Sequence, residues 1–395
     1  MRYSLWLFST AAAVVLAALG LAPQAGAAFA VAVLVRQLAV DDARARLVSG
    51  LSAIGLAAVA AAIATSTHEP AAVGAAAGLA FALLAREYAN LVAGQPPGAR
   101  PVLLEGGLVA YLVHGRPLGL LVGIAALALA WALVSAVAGG LAAASRDRPA
   151  PPRTQRLHGR ARWRRLGDGL RAARDPAFWG LVIARPAARA ALFPLAEQRW
   201  LTPNLVTAIS VVCCGAAAAL IATGTATGLA IALVFARSVL DSMDGQLARY
   251  REAGSQLGSF VDKVSDQFCW AALYGALALR AYDETGSRAM LLLPLAAGLW
   301  FALSSTALWL ARALAPAAPS GSASTPPAPW ARSLWRIVLF EEPDFYLWIS
   351  LAVATTRFDI FVPLIAAGHA ARGLVLVLAR AGSVVTASVR KEASA

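Results

Sequence analysis

DSMDGQLARYREAGSQLGSFVDKVSD, the stretch Asp241–Asp266, joins two apolar helical runs and carries four aspartates at their ends. Asp241 and Asp244 are three residues apart and Asp262 and Asp266 are four apart, so each pair lies on one helix face. Carboxylates at membrane depth are costly unless they are paired or bind a cation, and four of them mark a functional site. Because the candidate ligands are all oxygens, the stretch favours a hard divalent ion, Mg²⁺ or Mn²⁺.

Composition indicates a polytopic membrane protein. Of the 395 residues, 59% are hydrophobic and 14% are charged, whereas soluble domains carry about 25% charged residues. The net charge of +13 comes almost wholly from arginine, since Lys263 and Lys391 are the only lysines. These arginines flank apolar runs, which favours contact with the anionic lipids of a cytoplasmic membrane face over binding of nucleic acid.

The spacing within the stretch reads D-x2-D-G-x2-A-R-x8-G-x3-D-x3-D. It resembles, position for position, the signature of the CDP-alcohol phosphatidyltransferase family. The eight matching residues are Asp241, Asp244, Gly245, Ala248, Arg249, Gly258, Asp262 and Asp266. Upstream, TPNLVT (Thr202–Thr207) is similar to the start of that family's first transmembrane helix. The resemblance covers roughly residues 200–380 and includes none of residues 1–145.

The resemblance implies a two-metal phosphotransfer site. Asp241, Asp244 and Asp262 would be metal ligands, and Asp266 would be both a ligand and the general base for the acceptor hydroxyl. The implied cofactors are two Mg²⁺ or Mn²⁺ ions, and the implied partners are a CDP-alcohol donor, a hydroxyl acceptor and a second copy of the chain. The residues that would hold the nucleotide are Asn204, Thr207, Gly245, Ala248, Arg249, Ser255 and Gly258.

Each motif residue also has a structural interpretation. Asp241 or Asp244 alone could pair with Arg237 or Arg249, and the two glycines could serve helix packing. Arg249 could be a helix-end anchor that extends to the membrane surface. Separate structural roles would have to explain why all eight residues match the family signature at its spacing. The match at all eight positions favours a functional site.

The apolar runs of the C-terminal half predict six membrane spans, near 204–222, 226–249, 256–281, 288–312, 343–357 and 360–381. If the basic linker is cytoplasmic, alternation brings the cytoplasmic ends of the second and third spans together, and these ends carry the four aspartates. Ser255, in the short connection, is the predicted N-cap of the third span. The predicted site therefore lies near the cytoplasmic face of a bacterial-type cytoplasmic membrane.

Residues 1–145 are predicted to form an N-terminal multi-span membrane domain, with apolar runs near 5–22, 26–39, 48–66, 71–91, 103–115 and 118–141. The first run resembles a signal peptide, but further spans follow and we expect an uncleaved helix. The fold class is thus an all-α polytopic membrane protein, in which a six-span CDP-alcohol phosphotransferase bundle follows an additional helical domain. No reaction can be assigned to the N-terminal domain from its residues.

Residues 146–200 contain thirteen arginines and four acidic residues, interspersed with aromatic side chains. This pattern predicts a basic linker and amphipathic helices that lie in the headgroup layer of a lipid bilayer. RNA binding would need a soluble face that the chain lacks. Residues 201–382 are predicted to be the phosphotransferase domain, and residues 383–395 a cytoplasmic tail.

Two functions from different classes remain open. The first is a metal-dependent transferase that moves a phosphatidyl or phospho-alcohol group from a CDP-alcohol to a hydroxyl and releases CMP, in phospholipid or polar-lipid biosynthesis. CDP-diacylglycerol is the expected donor. The segment Ala236–Tyr250, however, resembles the branch of the family that transfers inositol phosphate. A soluble donor such as CDP-inositol is therefore the alternative. The second is a transporter with a buried acidic site, suggested by as many as twelve spans.

Overall fold

The computed structural model describes residues 45–67, 69–93, 102–113, 118–146, 157–172, 180–314 and 342–372, with single positions at 12, 13, 25, 28, 29 and 32. Every regular element in these ranges is helical, as predicted for an all-α protein. The elements are α1 (Ala45–Ser66), α2 (Pro70–Ala93), α3 (Val102–Val113), α4 (Leu118–Ala144), α5 (Gly159–Ala172), a π-helical turn (Gly180–Ala184), α6 (Arg185–Leu195), α7 (Pro203–Thr223), α8 (Thr227–Arg251), α9 (Gln256–Thr285), α10 (Arg288–Leu314), α11 (Glu342–Thr355) and a last helical stretch over 358–372.

The predicted apolar runs coincide with these helices wherever the structure describes them. Four described helices are long and apolar enough to cross a membrane: α2, α4, α7 and the Arg288–Thr306 part of α10. Helices α8 and α9 have the required length but carry the charged residues of the motif. The predicted runs at 5–22 and 26–39, apart from the single positions above, lie outside the described residues, as do linker residues 147–156 and the tail 383–395.

The chain forms two compact units. The first comprises residues 1–152, 252–275 and 305–320, and the second comprises residues 153–251, 276–304 and 321–395. In the first unit α2 packs against both α1 and α4, and α3 packs against α4. In the second unit α8 packs against α7, α6, α5 and α11.

Helix α4 shows how the first unit separates lipid-facing from protein-facing residues. Its exposed face carries large apolar side chains, among them Val134 and Leu141, which are 66% and 69% exposed. Its buried face carries small residues, including Ala128, Ala132 and Ala143. Small residues allow close approach of helices in lipid, where helix association depends on van der Waals packing.

Helix α7 begins and ends with strong local signals. Thr202 is the N-cap and its hydroxyl accepts a hydrogen bond from the backbone N–H of Leu205 at 3.2 Å, with Pro203 in the first turn. Gly224 ends the helix at φ +66°, in the left-handed conformation that favours glycine. The three cysteines, two of them on this helix, form no disulfide bond.

Helices α5 and α6 pack against the C-terminal part of α8 through one apolar cluster. Its buried members include Leu166 of α5, Leu192 of α6 and Leu247 of α8. Trp163 of α5 and Trp200 are exposed beside arginines, and Trp163 is 41% exposed. The location of these helices in the headgroup layer stays a prediction.

Candidate active site

Asp244 is the most enclosed acid of the motif. It is 6% exposed on α8, and the hydroxyl of Thr207 on α7 donates a hydrogen bond to its Oδ2 at 2.5 Å. Its Oδ1 accepts a hydrogen bond from the backbone N–H of Gly245 at 2.5 Å. The Thr207 contact joins the upstream TPNLVT segment to the aspartate motif, so two sequence signals separated by 37 residues meet in one place.

Asp241 is paired with a buried arginine. Arg237, one helical turn earlier on α8 and 1% exposed, donates a hydrogen bond from Nη1 to Asp241 Oδ1 at 2.5 Å. The same nitrogen donates to Ser210 Oγ on α7 at 2.7 Å, and Ser210 Oγ in turn donates to the Arg237 carbonyl oxygen at 3.2 Å. The structural interpretation of Asp241 as a partner of Arg237 therefore holds, and the pair leaves Asp241 26% exposed.

Ser210 is a residue of this network that sequence reasoning missed. It lies three residues after Thr207 on α7 and is fully buried. Residues three apart lie on the same face of a helix, so the spacing of Thr207 and Ser210 was the available signal. Asn204, the other predicted nucleotide contact of this segment, is exposed at the start of α7.

The glycine and arginine of the motif lie one above the other on α8. A Cβ added at Gly245 would come within 3.2 Å of Arg249 Nη1, so the guanidinium covers the glycine. Arg249 is exposed and Ala248 is half-buried. Gly245 adds no side chain of its own here, and the guanidinium places a fork of hydrogen-bond donors over it.

The second half of the motif begins with the predicted cap. The hydroxyl of Ser255 accepts a hydrogen bond from the backbone N–H of Gly258 at 2.8 Å, which confirms Ser255 as the N-cap of α9. Asp262 and Asp266 follow on α9 and both are half-buried. The Asp262 carbonyl accepts a hydrogen bond from Ser265 Oγ at 2.9 Å, and Lys263 contacts Ser259.

Three of the four aspartates lie close together in the structure. Asp241, Asp244 and Asp262 each offer a carboxylate oxygen, and these oxygens all lie within 4.8 Å of one another. Among the described residues this is the group of acidic side chains that could hold a metal ion. Asp266 lies one turn further along α9 and is not a member of that group.

The end of α8 is anchored to the turn that follows α6. The Arg251 guanidinium donates hydrogen bonds to the carbonyl oxygens of Ala196, Gln198 and Leu201 at 2.6–3.0 Å. Burial lowers the pKa of Arg251, and the negative charge of Glu197 opposes that shift. Glu197 also contacts the Tyr250 hydroxyl. The motif gave no signal for this anchor, which fixes α8 two residues after Arg249.

The acidic group fits a hard divalent cation by its donor chemistry. All its donors are carboxylate oxygens, and no histidine or thiolate belongs to the group. Such ligand sets suit Mg²⁺ and Mn²⁺ rather than softer metals.

Comparison with known proteins gives one match. Residues 200–358 match the family model described as CDP-alcohol phosphatidyltransferase. No curated protein and no solved structure matches the chain. The matched range begins just before α7 and includes all eight positions of the motif.

Proposed function

We propose that the chain is a metal-dependent phosphotransferase of phospholipid or polar-lipid biosynthesis. Residues 200–358 match the CDP-alcohol phosphatidyltransferase family model, and the chain carries helices that can cross a membrane. It transfers a phosphatidyl or phospho-alcohol group from a CDP-alcohol to an acceptor hydroxyl and releases CMP. The observation that carries the proposal is the grouping of Asp241, Asp244 and Asp262, because an enzyme of this class needs carboxylates that can hold divalent cations, and those cations neutralise the diphosphate.

Asp241, Asp244 and Asp262 are the proposed metal ligands, with Asp266 as the fourth. When bound, two divalent ions would neutralise the diphosphate and stabilise the attacking and leaving oxygens. Thr207 and Arg237 hold two of the ligands in place before any ion binds, through the hydrogen bonds to Asp244 and Asp241. Such preorganisation by neighbouring donors is common around metal ligands.

Asp266 is the proposed general base. In the transfer step the acceptor oxygen forms a bond to the β-phosphorus of the donor, and the bond from that phosphorus to the bridging diphosphate oxygen breaks. CMP leaves with the bridging oxygen, and the carboxylate of Asp266 accepts the proton of the acceptor hydroxyl. A positioned carboxylate of ordinary basicity is sufficient for this role.

The nucleotide would lie on the exposed side of α8. Gly245 leaves room for close approach to the backbone, and the exposed Arg249 fork suits the diphosphate oxygens. Ala248 keeps the same surface shallow. Asn204, Ser255 and Gly258 remain proposed contacts at the starts of α7 and α9.

CDP-diacylglycerol is the proposed donor, as the family resemblance implies. A soluble donor such as CDP-inositol is the alternative, and the assay below distinguishes the two.

The cytoplasmic face is the proposed location of the site. The arginines and exposed tryptophans of residues 157–200 suit the headgroup layer of the leaflet that carries anionic lipids. Arg251, the last residue of α8, binds the turn after α6, so the end of α8 lies beside this basic segment. A homodimer stays a prediction from the family resemblance.

The test uses the full-length protein in lipid nanodiscs with CDP-diacylglycerol, CDP-inositol and a panel of hydroxyl acceptors. CMP is quantified and the products are identified by mass. Asp266→Asn is expected to lower kcat by about 10²–10⁴-fold, the range for loss of a general base. The matched control is Asp283→Asn, which removes an exposed acid at the far end of the same helix and should leave kcat unchanged.

CMP release that requires both an acceptor and Mg²⁺ would support the proposal. If wild-type protein releases no CMP with any donor and acceptor pair, the phosphotransferase assignment is wrong. Metal-independent solute uptake by proteoliposomes, without CMP, would instead establish the transporter alternative.

A further inference from the structure

The N-terminal helices pack directly on the helix that carries the second half of the aspartate motif. One apolar cluster contains Tyr88, Ala89 and Ala93 of α2, Ala143 of α4, and Phe260 and Val264 of α9. Phe260 is 4% exposed and Val264 is 6% exposed. These two residues flank Asp262 in the sequence, so the contact lies within the motif itself.

Gly139 of α4 receives the Phe260 ring. A Cβ at position 139 would lie 2.6 Å from Phe260 Cζ and 3.3 Å from the Ala93 methyl group. Side-chain carbons do not approach one another to 2.6 Å, so only glycine allows this contact without a shift. The ring is nearly fully buried and has little room to swing aside.

The acidic residues lie on the opposite face of α9. An α-helix turns by about 100° per residue, so residues two apart are separated by about 200°. Asp262 follows Phe260 by two residues and Asp266 follows Val264 by two. Contact of Phe260 and Val264 with α2 and α4 therefore sets the rotation of α9, and with it the direction in which both aspartates project.

A second contact holds α2 and α4 together beside this cluster. Arg146, just after α4, donates a hydrogen bond from Nη1 to the carbonyl oxygen of Ala93 at the end of α2, at 2.7 Å. Phe260 thus packs against the C-terminal ends of α2 and α4, which this hydrogen bond links to each other.

We propose that the N-terminal helices α2 and α4 are a scaffold that positions α9, with Gly139 and Phe260 as the positioning contact for Asp262 and Asp266. The proposal rests on the proposed function of those aspartates. It gives the N-terminal helices, which carry no catalytic spacing of their own, a role in the transferase reaction.

The test compares adjacent glycines of α4 in the full-length protein in nanodiscs. Gly139→Ala forces the Phe260 ring or α9 to move, whereas a Cβ at Gly140 would lie 3.6 Å from the ring, an ordinary contact. The measurements are the Mn²⁺ dissociation constant by electron paramagnetic resonance, kcat and KM for CMP release, and the thermal unfolding midpoint.

Gly139→Ala is expected to weaken Mn²⁺ binding and to lower kcat by roughly 10- to 100-fold, because displacement of about 1 Å can cost a site this much. Gly140→Ala should stay within about twofold of wild type. In a Phe260→Leu background the smaller side chain leaves room, so Gly139→Ala should have a much smaller effect there. Such dependence of one substitution on the other reports direct coupling.

Equal Mn²⁺ affinity and kcat in the Gly139→Ala and Gly140→Ala proteins would overturn the inference. So would a Gly139→Ala protein that unfolds at lower temperature while Mn²⁺ affinity and kcat stay at wild-type values, because that result assigns the contact to stability alone. If Gly139→Ala protein does not accumulate, Val264→Ala thins the same cluster, and wild-type Mn²⁺ affinity and kcat in that variant would also overturn it.

Failure of the proposed function is distinguishable from failure of this inference. If wild type binds Mn²⁺ but releases no CMP from any CDP-alcohol, the function is wrong and the Mn²⁺ comparison still decides the scaffold role. If wild type is active and the two alanine variants behave alike, only the scaffold role is wrong. Absence of both Mn²⁺ binding and CMP release from wild type would refute both.

Discussion

Helix α8 holds Asp241 and Asp244 by polar contacts to their carboxylates. Helix α9 carries Asp262 and Asp266 on one face and packs against other helices through apolar side chains on the opposite face. On α8, Thr207 and Arg237 touch the carboxylates themselves. On α9, Phe260 and Val264 pack against α2 and α4. Contacts at the carboxylates themselves therefore steady the first half of the motif, and apolar packing on the opposite face of the helix orients the second half.

The two arrangements should respond differently to substitution. Loss of a polar partner changes the charge balance at a carboxylate and leaves a buried group without its hydrogen bonds. Loss of an apolar contact shifts a helix by small amounts and leaves every charge in place. Substitutions at Arg237, Thr207 and Phe260 separate the two cases.

The largest effect on stability is expected from Arg237→Met. Arg237 is 1% exposed, but the carboxylate left without its partner, Asp241, is 26% exposed. The loss should therefore be about 1–3 kcal/mol, below the value for a fully buried pair. The thermal unfolding of the purified protein would measure the loss. Arg357→Met is the control, because Arg357 pairs with Asp359 at the exposed surface, and it should unfold like wild type. Recovery in the Arg237→Met, Asp241→Asn double variant would identify the unpaired carboxylate as the cause.

Thr207→Val should weaken metal binding, because valine has nearly the same size as threonine but lacks its hydroxyl. The substitution removes the hydroxyl that donates to Asp244, and loss of such a supporting contact typically costs about 10–100-fold in metal affinity or activity. The Mn²⁺ dissociation constant is the measurement. Thr223→Val, on the same helix but bonded only to carbonyls of its own turn and to Thr225, is the control. Equal affinity of the two variants would show that Thr207 has no such role.

Phe260→Leu should have a smaller effect on stability than Arg237→Met. One large apolar side chain replaces another, so we expect a loss of about 1 kcal/mol in the free energy of unfolding. Leu279→Val, on an exposed position of the same helix, should cause no measurable change. A Phe260→Leu protein that unfolds like the Leu279→Val protein would mean that the α9 contact is loose.

The smallest effect is expected at the exposed Arg357–Asp359 pair. Two hydrogen bonds from Arg357, at 2.9 and 3.0 Å, hold the pKa of the Asp359 carboxyl below its ordinary value. A lowered pKa in the folded state contributes stability above the ordinary pKa and loses it as pH falls through the folded pKa. Asp359→Asn should therefore lower the thermal unfolding midpoint slightly above a pH of about 5. The difference from wild type should disappear as the pH falls through the folded pKa, and unfolding curves over a pH series would measure it.

Sequence alone predicted most of the helices from residue 203 onwards. The motif spacing located the acidic ends of α8 and α9, and the helices begin and end within a few residues of the predicted spans. Thr202, Pro203 and Ser255 were readable as helix starts because capping depends on local residues. The pairing of Arg237 with Asp241 was one of the structural alternatives, since the two residues are one turn apart.

The α9 contact with α2 and α4 could not be predicted from the sequence. Phe260 and Val264 look like any other apolar residues of a span, because lipid-facing and protein-facing positions are both apolar. Gly139 is one of many glycines in an alanine-rich run, and only the position of the Phe260 ring distinguishes it from Gly140. Long-range contacts of this kind leave no periodic signal.

The most direct test of the central claim is CMP release by the full chain with and without Mg²⁺, in wild type and in one variant from each half of the motif, Asp244→Asn and Asp262→Asn. Our account predicts no release in the presence of a chelator, recovery when Mg²⁺ is added back to wild type, and loss of activity in both variants alike. Release that persists without a divalent ion, or full activity in either variant, would contradict it.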